Sequence, residues 1–240
     1  KIVTAADRFI QKNKFRHEKH MKAFREAGAY IQKIHLKNRR SQYTYLTKVA
    51  ENTDTETAVL YRDNESIIPL VDLLERKEIP YKIKNADLTF FSHRVVMDIK
   101  NIIRFAIEPA NTEIFMQMFY KISTYMSKAV AIEACKISVE KGMTILDAAL
   151  DYGKIPAGTR KSIKSMQTHL NRLLEESGSK AIYRIIHFMG YKDYLKRANI
   201  NDSKLSIIQA IAYNEPSAVA LINRLDELAM LIKEKPYDAN

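Results

Sequence analysis

The spacing of apolar residues changes near residue 91. Before that point, strand-like segments at 30–36, 58–61 and 79–83, of which 58–61 is a continuous apolar run, alternate with stretches of helical spacing. Continuous apolar runs rich in β-branched and aromatic residues are typical of buried strands, and strands separated by helices predict a parallel α/β sheet. Three strands are too few to close such a layer, so we expect its partner strands to lie outside this chain.

Helices are predicted around these strands and throughout the rest of the chain. Residues 3–25 suit a helix that breaks near Asn13 and ends at Gly28, and further helices are predicted at 41–50 and 66–77. After residue 91 apolar residues step by three or four, and Gly, Pro and Asn breaks divide this part into seven to nine short helices. We therefore expect an α/β part followed by an all-α part, mostly helical overall.

Composition narrows the class of protein. Of 240 residues, 46% are hydrophobic and only six are Gly and six Pro, which excludes disordered and collagen-like chains. No apolar run approaches the roughly 18 residues of a membrane span. Cys135 is the single cysteine and cannot form an internal disulfide, and no signal peptide opens the chain, so we expect a cytoplasmic protein without a membrane contact.

The positive charge is concentrated at one end of the sequence. The net charge is +11, and residues 1–50 hold 13 basic and 3 acidic side chains against 26 and 25 in residues 51–240. Such a field favours a polyanion, nucleic acid first, because bound cations release counterions from phosphates. A solvated face that aids solubility explains the charge equally well.

Catalytic signals are scarce. The sequence contains no Gly-x-x-x-x-Gly-Lys-Ser/Thr stretch, so it has no phosphate-cradling loop of its own. Asp226 and Glu227 resemble a magnesium-binding pair but fall within an amphipathic helix, which favours salt-bridged surface acids. His17 and His20 have a metal-ligand spacing, yet basic neighbours and the lack of a third ligand favour no metal site. Cys135 is expected to be structural.

One segment resembles a known family. Thr57-Ala58-Val59-Leu60-Tyr61-Arg62-Asp63-Asn64 is similar to the A-V-L-x-R-x-N strand of superfamily 1A DNA helicases, the UvrD/PcrA/Rep group. Phe90-Phe91 and Asp98 follow where that family has F-F-x-x-x-E-I-x-D. The opening residues 2–10 resemble the helix after the family's Q-N-Y-R-S motif.

The resemblance implies a division into domains. Residues 1–90 would be part of a RecA-like, P-loop NTPase-type motor domain, 2A, with an incomplete parallel sheet. Residues 91–236 would be the inserted helical 2B domain, and 237–240 the return to 2A. The family's ATP and magnesium motifs would lie outside this chain, so the resemblance implies both cofactors for the parent protein and none bound by these residues alone.

The resemblance also implies a function. The parent protein would be an ATP-dependent helicase of DNA repair or recombination that moves 3′ to 5′ on single-stranded DNA or at a single-strand–duplex junction. This chain would contribute DNA binding and regulation by 2B, with a protein partner as a further role of 2B, and would be catalytically silent. The alternative is a non-enzymatic, helicase-derived interaction protein that holds a partner helix in an apolar groove of residues 110–236.

Candidate contact residues follow from the same resemblance. Arg62, with Asn64 beside it, occupies the position of a family arginine suited to the single-strand backbone, since a guanidinium at the edge of a parallel sheet is well placed for phosphate. An ion pair with Asp63 or another acid is the alternative for Arg62. Phe90 and Phe91 match an aromatic pair at the 2A–2B junction, where core packing is favoured over base stacking.

Two further sites are predicted. The basic segment 12–25 supplies Lys14, Lys19 and Lys22 as candidate phosphate contacts without base reading. Where the family has an R-G-I-G turn that approaches duplex phosphates, this chain reads Thr124-Tyr125-Met126-Ser127, without either glycine. Lys128, together with Ser127, is the candidate substitute.

Overall fold

The structure is a computed structural model that describes residues 2–15, 21, 22, 24, 30–83 and 89–234. Its contacts divide the chain into two compact units, Lys1–Gln42 and Tyr43–Asn240. Regular structure in the described residues consists of α-helices. Their bounds are α1 Ile2–Ile10, α2 Arg39–Glu51, α3 Ile68–Arg76, α4 Thr89–Ser92, α5 Arg94–Ile107, α6 Thr112–Met118, α7 Lys128–Lys141, α8 Ile145–Tyr152, α9 Ala157–Glu175, α10 Gly178–His187, α11 Tyr191–Arg197, α12 Ser203–Ala212 and α13 Ala218–Glu234.

The first unit contains α1, which buries none of its residues. The helix ends at Ile10 and is followed by a turn in which the Asn13 amide donates to the Ile10 carbonyl at 2.9 Å. The predicted break near Asn13 is therefore confirmed, while the predicted end at Gly28 lies outside the described residues. The predicted helix at 41–50 corresponds to α2.

The three predicted strands do not form in the described part of the chain. Residues 30–36 and 58–61 have no regular structure, and 79–83 contains only a single bridge residue, Ile83. A strand is stabilised by a ladder of hydrogen bonds to a neighbouring strand, and these segments do not provide one for each other. The Ile79 amide instead donates to the Leu74 carbonyl, which closes the end of α3. The strand predictions are wrong here, and the RecA-like sheet is not confirmed.

The segment around α3 is fixed to the helical core rather than to a sheet. Pro69 stands in the first turn of α3, where its missing N–H costs nothing. Ile68 and Val71 of this helix are 1% exposed and belong to the same core as Phe90. The core is thus continuous across residue 90, and the proposed 2A–2B boundary there stays a prediction.

The all-α part was predicted well from periodicity. Nine helices, α5 to α13, lie in described residues 94–234, at the upper end of the predicted number. Their ends follow capping chemistry: Asn111, Ser127 and Thr144 side chains accept hydrogen bonds from the first turns of α6, α7 and α8. Gly142, at φ +62°, closes α7 in the left-handed region.

Helix α5 lies at the centre of this part and contacts α4, α6, α9, α12 and α13. Ile99, Ile102, Ile103 and Phe105 of α5 are fully buried. In α9 the apolar residues that step by three or four along the sequence are buried as well: Ile163, Met166, Leu170 and Leu173. Among the described helices, none combines the length and the apolar character that crossing a membrane requires.

Candidate nucleic-acid interface

Arg62 lies in an exposed turn that leads into α3, with Asn64 exposed beside it. Among the ion pairs between described residues, none includes Arg62. Asp63, the acid that could have paired with it, accepts a hydrogen bond from the Ser66 amide at 2.9 Å. The sequence-level alternative of an Arg62–Asp63 ion pair is therefore not what the structure shows, and the guanidinium faces solvent.

The turn that carries Arg62 is held by two contacts, both made by the residues that follow Arg62. Ser66 Oγ donates to the Asp63 carbonyl at 2.8 Å, which closes the turn. Glu65 forms an ion pair with Lys204 of α12 at 2.5 Å, and both side chains are 19% exposed. A contact residue on a turn that is already ordered loses less conformational entropy on binding than one on a free loop.

Helix α3, which follows the turn, is anchored by a buried carboxylate. Asp72 is 1% exposed and accepts from Arg224 Nε of α13 at 2.7 Å and from Arg76 Nε at 3.0 Å. Arg76 also pairs with Glu215. Burial raises the pKa of Glu215, while the Arg76 charge opposes that rise. Two guanidinium groups thus neutralise Asp72 and attach α3 to the helical core.

The basic segment contributes two described lysines. Lys14 and Lys22 are exposed and belong to the first compact unit. The Asn13 side chain accepts from the Phe15 amide at 3.1 Å, which orders the backbone at Lys14. Lys19, His17 and His20 lie outside the described residues.

Asp98 is the acceptor of a buried polar network. Its Oδ1 pairs with Lys121 Nζ at 2.5 Å, and its Oδ2 accepts from the Tyr191 hydroxyl at 3.0 Å. Burial, with the adjacent Asp98 charge, raises the pKa of Tyr191. Tyr194, beside Tyr191, accepts from Arg94. The network connects α5 with α11 and with the segment that follows α6, so Asp98 holds the helices together.

Phe90 and Phe91 are core residues. They are 0% and 9% exposed, and their rings meet edge to face with centroids 5.2 Å apart. Such burial leaves no face for a base, so the packing interpretation holds over stacking.

Lys128 is exposed at the first position of α7. The preceding Ser127 hydroxyl accepts from the Val130 amide at 3.3 Å and so caps the helix. Tyr125, two residues earlier, has φ +53° and is 67% exposed. Tyr125 therefore adopts the left-handed backbone conformation, which glycine adopts without strain.

Comparison with known proteins places this arrangement in a family. Residues 1–238 match the family described as the UvrD-like helicase C-terminal domain. The chain belongs to this family. It is also 23% identical over 254 residues to proteins named ATP-dependent DNA helicase UvrD1 from Mycobacterium bovis and from two strains of Mycobacterium tuberculosis. The match covers 99% of this chain and 31% of each relative, so the chain spans about a third of the curated relatives' length.

The UvrD-like resemblance inferred from residues 57–64 is therefore confirmed, and the chain is helicase-derived. Within this helicase C-terminal domain, the turn at 124–127 departs from the R-G-I-G pattern. Tyr125 combines a positive φ with a large side chain, whereas a glycine would allow a close approach of the backbone to a phosphate. Duplex contact at Lys128 stays a prediction.

One local excess of positive charge was missed by the count over residues 51–240. Residues 157–197, which span α9 to α11, hold nine Lys and Arg and three Asp and Glu, whereas the remainder of 51–240 holds 17 and 22. The near balance of the whole segment hid this local excess. A sliding charge count over each predicted helix would have found it.

Proposed function

We propose that the protein containing this chain is an ATP-dependent DNA helicase that translocates 3′ to 5′ on single-stranded DNA, and that this chain supplies part of its DNA-contact surface and the regulatory 2B domain. The family match over residues 1–238 carries the proposal. The names of the UvrD1 relatives support it. ATP and magnesium would be held by motifs that this sequence lacks, and ATP hydrolysis would supply the energy for movement.

The DNA contact is assigned to Arg62, with Asn64 as a neighbouring donor. Arg62 is exposed on an ordered turn, and the adjacent acid is occupied by a backbone amide. A guanidinium presents several donors to phosphate oxygens in a fixed plane, so it suits a sequence-independent backbone contact. Lys14, Lys19 and Lys22 are assigned as a second contact and Lys128 as a third.

The direct test uses the whole protein. Unwinding is measured on duplexes with a 3′ or a 5′ single-stranded tail, in the presence of ATP and magnesium. The proposal predicts unwinding of the 3′-tailed duplex and little of the 5′-tailed one. Preference for the 5′ tail, or no DNA-stimulated ATP hydrolysis, contradicts it.

The residue assignment has its own test. Arg62→Ala should weaken binding of single-stranded DNA and reduce the salt dependence by about 0.7 log units in affinity per log unit of salt, the value for one phosphate contact on a single strand. Lys233→Ala, at another exposed cation of the second unit, is the matched control. If the salt dependence of binding is the same for Arg62→Ala and Lys233→Ala, Arg62 does not contact the DNA.

The alternative of a non-enzymatic interaction protein has one structural feature behind it. A shallow groove lies between α6 and α7, with Met116, Ile132 and Cys135 along it. Glu113 and Lys136 border the same groove, so an occupant would meet charge as well as apolar surface. Binding of a partner helix with no dependence on salt, in a protein that does not hydrolyse ATP, would favour this alternative.

A further inference from the structure

Four ring side chains lie together where α9 packs against the end of α10. This aromatic cluster consists of His169, Tyr183, His187 and Phe188. Tyr183 is 53% exposed and Phe188 is 56% exposed. Two half-exposed aromatic side chains in contact are costly to leave in water, which makes the cluster a candidate binding surface.

The rings are arranged as a shallow surface rather than as a core. The ring of Phe188 is parallel to that of His169 within 7°, with centroids 6.2 Å apart. Tyr183 lies 4.3 Å from the His187 ring and meets Phe188 edge to face at 5.7 Å. Each ring is therefore supported by another, while Tyr183 and Phe188 keep about half of their surface available.

A buried arginine holds the cluster in place. Arg184 donates to Glu176 with two nitrogens, one of them at 2.8 Å, and lies 5.9 Å from the centre of the Phe188 ring. Its third nitrogen lies 2.9 Å from His169 Nδ1. Because the guanidinium can only donate, His169 Nδ1 accepts and its ring is neutral. Burial, followed by the charges of Arg184 and Arg172, lowers the pKa of His169 in agreement with this.

The surroundings of the cluster are cationic. The hydrogen bond from Arg184 lowers the pKa of Glu176, and the charges of Lys180 and Arg172, which are both exposed, lower it further. Arg172 lies one helical turn after His169, and Lys180 one turn before Tyr183, so each shares a helix face with a ring of the cluster. Glu176, an acid at the cluster, forms an ion pair with Arg184. Free positive charge thus flanks exposed rings.

Rings flanked by cations match the chemistry of unpaired nucleotides. Aromatic side chains stack on bases of any sequence, and Lys and Arg contact the phosphates between them. A partner helix would favour an apolar surface with charges of both signs, whereas the segment 157–197 carries a net +6. We propose that the aromatic cluster stacks unpaired bases of single-stranded DNA while Arg172 and Lys180 contact the flanking phosphates. This inference rests on the proposed DNA-binding function.

The test compares two fluorescently labelled oligonucleotides of 20 nucleotides, one of thymidines and one with abasic sites throughout. The intact chain is titrated with each by fluorescence anisotropy. The variant Tyr183→Ala/Phe188→Ala should bind the thymidine strand at least about fivefold more weakly than the wild type, since each stacked base contributes at least that factor. On the abasic strand the two proteins should differ by less than about twofold, because only phosphates remain to be bound.

Two control variants separate stacking from other effects. Tyr183→Phe keeps the ring and should bind like the wild type. Tyr213→Ala removes a comparably exposed tyrosine, 51% accessible at the end of α12, and should leave the affinity unchanged. Thermal unfolding of each variant confirms that the fold is intact, as expected for exposed positions.

The outcomes distinguish this inference from the proposed function. If the double variant binds the thymidine strand as the wild type does while Arg62→Ala weakens binding, the aromatic cluster is not a base-stacking site and the proposed function stands. An equal loss on both strands also overturns stacking. If the wild-type chain binds neither strand at 50 mM salt, the proposed DNA contact fails as well.

Discussion

The buried pair between Asp98 and Lys121 allows a quantitative test of the fold. Asp98 is 2% exposed and Lys121 is 7% exposed, so solvent screening between them is weak. Lys121→Met keeps most of the aliphatic volume and removes the charge. Asp98 then stays buried with only the Tyr191 hydroxyl, 3.0 Å away, as a hydrogen-bond donor among the contacts described.

The expected cost follows from what remains at Asp98. Removing one partner of a buried ion pair costs about 3–5 kcal/mol, because the other charge is left uncompensated. The remaining hydrogen bond to Tyr191 offsets part of that, so we expect about 3 kcal/mol. For a unit of this size such a loss lowers the melting temperature by about 6–12 °C.

The measurement is thermal and urea unfolding of four proteins: the wild type, Lys121→Met, Asp98→Asn and the double variant. The double variant should lose less than the sum of the single variants, by about 1.5 kcal/mol or more, since neutralising both partners removes the unpaired charge. Lys128→Met, at an exposed lysine nearby in sequence, should change stability by less than about 0.5 kcal/mol. A Lys121→Met loss below about 1 kcal/mol, or strict additivity, would refute the reasoning.

Three further predictions concern stability and reactivity. Gly190→Ala should lower the free energy of unfolding in urea by about 1–2 kcal/mol, because Gly190 has φ +82° and a Cβ there would lie 2.0 Å from Ser123 Oγ. Gly158→Ala, with open space in α9, should raise it by up to about 1 kcal/mol. Equal effects of the two substitutions would contradict this expectation. Burial raises the pKa of the Cys135 thiol, so iodoacetamide at neutral pH should modify it far more slowly than a solvent-exposed thiol. In denaturant Cys135 should react fully. The pKa of Glu176 is lowered from 4.5, chiefly by its hydrogen bond to Arg184, so the stabilising effect of the ionised carboxylate is present above pH 4.5 and is lost as the pH falls. The loss of stability caused by Glu176→Gln should therefore shrink below that pH. A loss that does not change with pH would contradict the pairing.

Helical periodicity predicted the second part of the chain because its information is local. Residues that step by three or four in α9 are buried as a stripe, and two of the predicted glycine breaks, Gly142 and Gly153, lie at the C-terminal ends of α7 and α8. These signals depend on neighbours within one or two turns. Sequence alone is enough to read them.

The strand predictions failed for the opposite reason. Residues 58–61 and 79–83 have apolar, β-prone composition, but a parallel strand exists only beside other strands. In the described structure the apolar residues of α3, which lies between these two segments, pack against the helical core. Composition therefore indicated burial without indicating the partner.

The candidate site was predictable in part. The UvrD-like resemblance identified Arg62 and Asp98 by position, and the structure places the first in solvent and the second in a buried network. Asp98 is buried with its partners Lys121 and Tyr191, and both of them lie far from Asp98 in the sequence. The aromatic cluster could not be predicted, since His169 and Phe188 meet only through the packing of α9 on α10.

The salt dependence of single-stranded DNA binding by this chain tests the central claim most directly. The measurement is the dissociation constant of a 20-nucleotide thymidine strand at a series of salt concentrations from 50 mM upward. We expect micromolar or weaker binding. The logarithm of the association constant should fall linearly with the logarithm of the salt concentration, by about 0.7 for each phosphate contacted. Binding that does not change with salt, or no binding at 50 mM, would contradict it.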